Sequence, residues 1–291
     1  MSETDSRPSY EMKFGPVVLI AIDLDTMLDF YVKDIGLKMK MRSNQLVELR
    51  PTEQTPEPLL ILRYDAKAEK APIDAAGLYH YALLVPERRS LAATYLALGR
   101  AGVIFDGHAD HLVSEALYLT DPEGNGIEIY ADRPRDKWEF DEDNKVQMGT
   151  LPLDIDSLLE EVVRTPENEM TAIPEGTRVG HVHLKVTELP RSVAFYQHVV
   201  GLDLMSYLGS AAFLSVGGYH HHIGMNTWES LGGPVRKDGW SGLESITIRI
   251  PQKQLNELSS RLTDNPFPYS TDSGKLLISD PDGLELLVCP S

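Results

Sequence analysis

Apolar residues in this chain cluster in short alternating or continuous runs, each followed by a longer stretch with helical spacing. Runs opening near Val17, His80, Val182 and Ser245 read as strands, because side chains two apart share one face of a pleated chain. The stretches 26–33, 87–98, 191–198 and 252–261 repeat their apolar positions at the helical period. Short apolar segments follow each one, with tight turns marked by Asp121-Pro122-Glu123-Gly124 and Asp280-Pro281-Asp282-Gly283. The pattern therefore predicts four βαβββ units, with a further helix over 151–163 on the apolar face of Leu151, Leu158 and Leu159.

The units are related by an internal repeat. DTMLDFYVKDIGL at 25–37 returns as PRSVAFYQHVVGL at 190–202, with its Phe-Tyr and Gly-Leu pairs displaced by 165 residues. GLYHYALLVP at 77–86 returns at the same displacement as GLESITIRIP, and DPEGNGIEIY at 121–130 returns as DPDGLELLV at 280–288. The expected fold class is α+β, with two cupped mixed β-sheets and helices outside. The expected division is a first half over 1–135, an acidic connector with a helix over 136–178, and a second half over 179–291.

Composition narrows the function. The formal charge of −17 disfavours non-specific attraction to nucleic acid or anionic membrane, while leaving a small neutral or aromatic substrate open. Much of the acidity lies between residues 132 and 178, where 13 acidic residues face 6 basic ones, as suits a solvated connector. No apolar run approaches the roughly 20 residues that cross a bilayer, and the first residues are polar and acidic. The single Cys289 rules out an intramolecular disulfide framework and a cysteine-based zinc site. A cytoplasmic protein is expected, and a homo-oligomer is compatible with the sequence. No Gly-rich phosphate loop or nucleophile elbow is present.

The segments GLYHYALLVP, GHADHLVSEALYLTDPEGNGIEIYADRP, VGHVHLKV and GGYHHHIGMNTW, together with the repeat, strongly resemble the vicinal oxygen chelate superfamily. Within it the chain is most similar to two-half bacterial catechol 2,3-dioxygenases of the extradiol type, from about Gly15 to Pro290. The resemblance implies ring cleavage of a small aromatic diol by dioxygen at a non-haem metal. A glyoxalase-like metal isomerase and a metal-free small-molecule binding or resistance protein are the alternatives.

All nine histidines fall in the middle two units or at their edges, which points to one site. His80 and His181 each open a unit's first strand, and Glu128 lies in the second unit's last strand. Together they offer a two-histidine, one-carboxylate face suited to Fe(II), with Mn(II) as competitor. The resemblance implies the same three ligands. His183 shares a strand face with His181, so spacing leaves it open as a ligand, a pocket residue or a hydrogen-bonding partner.

The resemblance further implies an acid/base histidine within HHHIGMN, with His222 matching best and His221 and His220 as alternatives. It also implies His108 and Tyr118 as groups beside the substrate, although the interval between them is one residue longer than the family's pattern. His111 either fixes that loop or supports the site. Asn226 and Trp228 are expected at the cavity entrance, and Trp138 and Phe140 form a candidate apolar patch on the connector.

The outer units place Pro16 and Ser245 where the middle units carry His181 and His80, so they cannot form a second identical centre. Uniting His80, Glu128 and His181 in one cup requires unit two to pair with unit three, and unit one with unit four. The more familiar extradiol arrangement pairs sequential units.

Overall fold

The computed structural model describes residues 11–142, 146–163, 172–265 and 267–291, so parts of the acidic connector lie outside the described residues. Unit one comprises β1 (Lys13–Ala21), α1 (Leu24–Leu28), β2 (Lys38–Ser43), β3 (Leu46–Arg50) and β4 (Leu60–Tyr64). Unit two comprises β5 (Gly77–Leu84), α2 (Arg88–Ala101), β6 (Gly107–Asp110), β7 (Ser114–Thr120) and β8 (Gly126–Asp132). The connector adds β9 (Leu151–Pro152) and α3 (Ile155–Glu160). Unit three comprises β10 (Arg178–Lys185), α4 (Leu189–Phe195), β11 (Asp203–Tyr207), β12 (Ala211–Ser215) and β13 (Ile223–Asn226). Unit four comprises β14 (Gly242–Ile250), α5 (Gln252–Thr263), β15 (Tyr269–Asp272), β16 (Lys275–Ser279) and β17 (Glu285–Pro290).

The strands form two mixed sheets. One has the order β15-β16-β17-β14-β1-β4-β3-β2 and the other β11-β12-β13-β10-β5-β8-β7-β6-β9. Each sheet therefore draws one unit from each half of the sequence, as the histidine distribution required. The connector differs from the expected single helix: Leu151 and Pro152 extend the second sheet by pairing with β6, and the helix begins only at Ile155. Asp154 explains that start, since its carboxylate accepts from Ser157 N–H at 3.0 Å and caps the helix.

Strand alternation separates core from cup. On β5, Tyr81 and Leu83 point into the main core with the helices, while Ala82 and Leu84 join Ala116 and Tyr130 on the opposite face. The repeated Phe-Tyr motif ties consecutive units together. Tyr31 donates to Asp121 at 2.8 Å and Tyr196 to Asp280 at 3.1 Å, each tyrosine anchoring the Asp-Pro turn of the next unit. Each tyrosine lies in a widened helical turn that continues α1 or α4, over Asp29–Asp34 and Tyr196–Val200. Ile35 N–H reaches Phe30 O at 2.9 Å and Gly201 N–H reaches Tyr196 O at 3.0 Å, five residues back in each case.

No described helix is long and apolar enough to cross a membrane.

Candidate metal centre

Three elements meet at the floor of the second sheet's cup. β5 supplies His80, β8 supplies Glu128 and β10 supplies His181, all buried, with one ligand atom from each lying within 4.8 Å of the others. Glu128 Oε2 is 2.9 Å from His80 Nε2 and 3.0 Å from His181 Nε2. Burial pushes the Glu128 carboxyl up, but the two imidazoles outweigh it and hold the group well below the ordinary carboxylate range. Burial lowers His181 to about 4, so it presents a neutral imidazole at pH 7.

This set fits a divalent ion. Neighbouring donors on an octahedral ion with bonds of about 2.1 Å lie about 3.0 Å apart, close to both observed separations. Despite its proximity to Glu128, His80 Nε2 makes no hydrogen bond and remains a buried nitrogen without a partner. Such a cost is explained when the nitrogen's lone pair is directed at a cation. His181 Nδ1 is also buried and unpartnered, so this ring lacks the backing acceptor that ligating histidines usually have.

Strand register defines the fourth corner. Tyr81 pairs with Val182 where β5 and β10 run antiparallel, and a local two-fold through that pair exchanges His80 with His181 and Ala82 with His183. Ala82 lies opposite Glu128 on β8, and His183 lies opposite Gly224 on β13. The counterpart of Glu128 is thus a glycine, which contributes no side-chain donor.

The site opens on a cavity of about 700 Å³ whose lining includes Tyr79, Tyr118, His183, Phe213, His221 and Trp228. Tyr118 lies within reach of His111, whose Nε2 is 2.6 Å from the phenol oxygen and whose Nδ1 is 2.7 Å from Gly149 O. The carbonyl can only accept, so Nδ1 carries hydrogen, and a neutral His111 accepts from Tyr118. Burial, then the Glu128 charge, pushes the Tyr118 phenol well above its ordinary range. Trp228 is half-exposed at the mouth, edge-on to Tyr79 with ring centres 5.1 Å apart.

The three histidines of the run have different surroundings. His220 and His221 line the cavity, whereas His222 does not; its Nδ1 is 2.7 Å from Ser215 Oγ and its ring packs near Phe14 and Tyr219. Burial lowers His222 to about 3. His222, expected beside the substrate, therefore does not line the cavity that holds His80 and Glu128, whereas His221 and His220 do. The three histidines precede β13, which begins at Ile223, so strand alternation does not govern them; His222 N–H bonds Leu214 O and Val182 N–H bonds His222 O as the chain enters the sheet.

A polar chain stands behind His221. His220 Nε2 is 3.1 Å from Asp132 Oδ1, and the two Nδ1 atoms of His220 and His221 are 2.8 Å apart. With Asp132 accepting from Nε2, a neutral His220 accepts at Nδ1 from His221, leaving the buried, unpartnered His221 Nε2 with a lone pair. Burial and the adjacent His181 hold His221 well below the usual histidine range.

His108 is exposed on β6 and does not line the cavity; its neighbours Gly107 and Ala109 do. Asn226 is buried behind His183 rather than at the entrance, with its amide nitrogen 3.0 Å from His183 Nε2. Trp138 is buried and donates to Arg133 O at 2.9 Å, leaving only Phe140 of the expected patch exposed. The sequence reading passed over Tyr79 and Phe213. Tyr79 directly precedes His80 and Phe213 lies on β12 beside β13, but their aromatic signal is indistinguishable from core packing.

Residues 13–129 match the family profile described as the glyoxalase/bleomycin resistance protein/dioxygenase superfamily. Over 271 residues the chain is 39% identical to a protein of Bacillus subtilis (strain 168) named catechol-2,3-dioxygenase, covering 92% of this chain and 93% of that one. The chain belongs to this superfamily.

Solved structures of the superfamily share the fold. A Bacillus subtilis protein carrying a provisional dioxygenase name aligns with a TM-score of 0.63 at 12% identity, over 97% of this chain and 86% of that one. Maize (Zea mays) glyoxalase I aligns with a TM-score of 0.54 at 15% identity, over 96% of this chain and 92% of that one. At these identities the likeness extends to architecture. Within the superfamily fold, this chain concentrates its histidines in one of the two sheets, because the first sheet has Pro16 and Ser245 at the corresponding strand positions.

Proposed function

We propose that this protein is a metal-dependent extradiol dioxygenase that opens the ring of a catecholic substrate. The observation that carries this reading is the set His80, Glu128 and His181 with Gly224 at the fourth corner, which leaves room for a bidentate diol and dioxygen. A glyoxalase-like isomerase with four protein ligands would need a donor where Gly224 stands. The similarity to a catechol-2,3-dioxygenase over nearly the whole chain supports the same reading.

His80, Glu128 and His181 would hold the ion, Fe(II) in preference to Mn(II). When bound, the ion supplies positive charge that makes the diol more acidic and links substrate and dioxygen electronically. His221 Nε2, with its lone pair free, accepts a proton from a substrate hydroxyl, and the bond from His221 to His220 keeps Nδ1 protonated meanwhile. Tyr118 presents its oxygen beside the substrate while His111 and Gly149 fix the direction of its proton. Tyr79, Phe213 and Trp228 provide aromatic walls that position a planar ring and exclude water. The buried single cysteine accords with a reducing cytoplasm.

The test is oxygen uptake by protein reconstituted anaerobically with Fe(II), and separately with Mn(II), on addition of catechol. Stoichiometric uptake with a yellow ring-opened product is expected. No uptake at verified metal occupancy would overturn the catechol reading.

A further inference from the structure

Resting on that functional reading, we infer that His183 is a substrate-contacting hydrogen-bond donor, held as the Nδ1–H tautomer to receive an anionic substrate oxygen at the corner vacated by Gly224. The inference begins with Asn226. Its Oδ1 accepts from Trp228 N–H at 3.1 Å, a contact that only the oxygen of the amide can make. The amide nitrogen must then face the other way, where it lies 3.0 Å from His183 Nε2. An amide N–H cannot accept, so His183 Nε2 is the acceptor and the ring proton resides on Nδ1.

That proton is directed away from protein partners. Among the described residues His183 Nδ1 makes no hydrogen bond, and the ring that carries it lines the cavity. The ring packs 5.0 Å from His80, centre to centre, which places the donor next to a candidate ligand. Gly224 makes this placement sterically feasible. A Cβ at that position would come within 3.0 Å of both Cγ and Nδ1 of His183.

The fourth corner is consequently occupied by a neutral donor in place of a carboxylate. A carboxylate would repel a deprotonated diol, whereas an N–H stabilises it without adding charge. Asn226 and the Trp228 backbone act through His183 and are positioning groups. Fixing the tautomer in advance removes the cost of reorganising the donor when the oxygen becomes anionic.

Two measurements test this. Long-range proton–nitrogen NMR of histidine-labelled, metal-free protein reads the tautomer directly, with His183→Gln identifying the signals. The Nδ1–H pattern is expected, and an Nε2–H pattern overturns the inference regardless of activity. Anaerobic titration of Fe(II)-loaded protein with 4-nitrocatechol then tests the contact. Loss of one hydrogen bond to a charged oxygen predicts about tenfold or greater weakening in His183→Phe. His183→Gln, which retains an N–H donor, should recover a substantial part. Wild-type affinity in a folded His183→Phe variant overturns the contact. Failure of wild-type protein to bind the diol while showing the expected tautomer identifies the functional reading as the failed premise and overturns the contact with it.

Discussion

Gly180 immediately precedes His181, and its lack of a side chain allows Tyr130 to pack beneath that candidate ligand. A Cβ added there would lie 2.0 Å from the Tyr130 hydroxyl oxygen and 2.8 Å from Cζ, with Leu84 Cβ at 2.9 Å. Tyr130 cannot withdraw freely, because it is fully buried, its ring centre is 4.8 Å from that of His181, and its hydroxyl is 2.9 Å from Tyr219 Oη. Gly180→Ala should therefore cost about 1–3 kcal/mol in overpacking and about 0.5–1.5 kcal/mol from the displaced hydrogen bond. Tyr130→Phe alone should cost about 1 kcal/mol, since Tyr219 retains its bond to Asp132 at 3.0 Å. Removing the hydroxyl relieves the shortest contact, so adding Tyr130→Phe to Gly180→Ala should restore part of the lost stability. Urea unfolding of metal-free wild type, both single variants and the double variant gives the cycle. Additive losses, or a Gly180→Ala cost below about 0.5 kcal/mol, would refute the packing argument.

Other perturbations separate the histidines. His221→Asn should reduce kcat by about 10²–10⁴ as a lost proton acceptor, whereas the exposed His108→Ala should leave kcat within about twofold, both measured by ring-opened product formation. Burial holds His222 at about 3, compared with about 6.5 in an unfolded chain. Unfolding therefore takes up a proton between those values, and the His222 contribution to stability falls as pH drops through that window. His222→Asn should flatten the slope by up to about 1.4 kcal/mol per pH unit, as measured by urea unfolding from pH 6.5 downward; an unchanged slope would contradict the assignment.

Much of the architecture was legible because the repeat preserves both pattern and spacing. Tyr31 and Tyr196, displaced by 165 residues, make equivalent bonds to the aspartates of the two Asp-Pro turns. The pairing of units two and three followed from chemistry: three potential ligands had to meet, and the other units lacked histidines. The run His220-His221-His222 was harder to resolve. Three identical residues carry no pattern, and they lie ahead of β13 in an irregular segment where strand alternation does not apply, so their surroundings emerged only from the folded chain. His108 follows the alternation of β6, which turns Gly107 and Ala109 to the cavity and His108 to solvent, whereas His111 lies beyond the strand end, next to a turn in which Leu112 has a φ of 70°. Asp132 closes β8, and its contacts with Tyr219 and His220 depend on a chain segment 87 or more residues away.

Turnover under ¹⁸O-labelled dioxygen, with mass analysis of the product, tests the central claim most directly. The account predicts that Fe(II)-loaded protein converts catechol to a yellow product cleaved beside the diol, containing both oxygen atoms from dioxygen and disappearing in His80→Ala and Glu128→Gln. Cleavage between the two hydroxyls, or product without labelled oxygen in rapidly quenched samples, would contradict it.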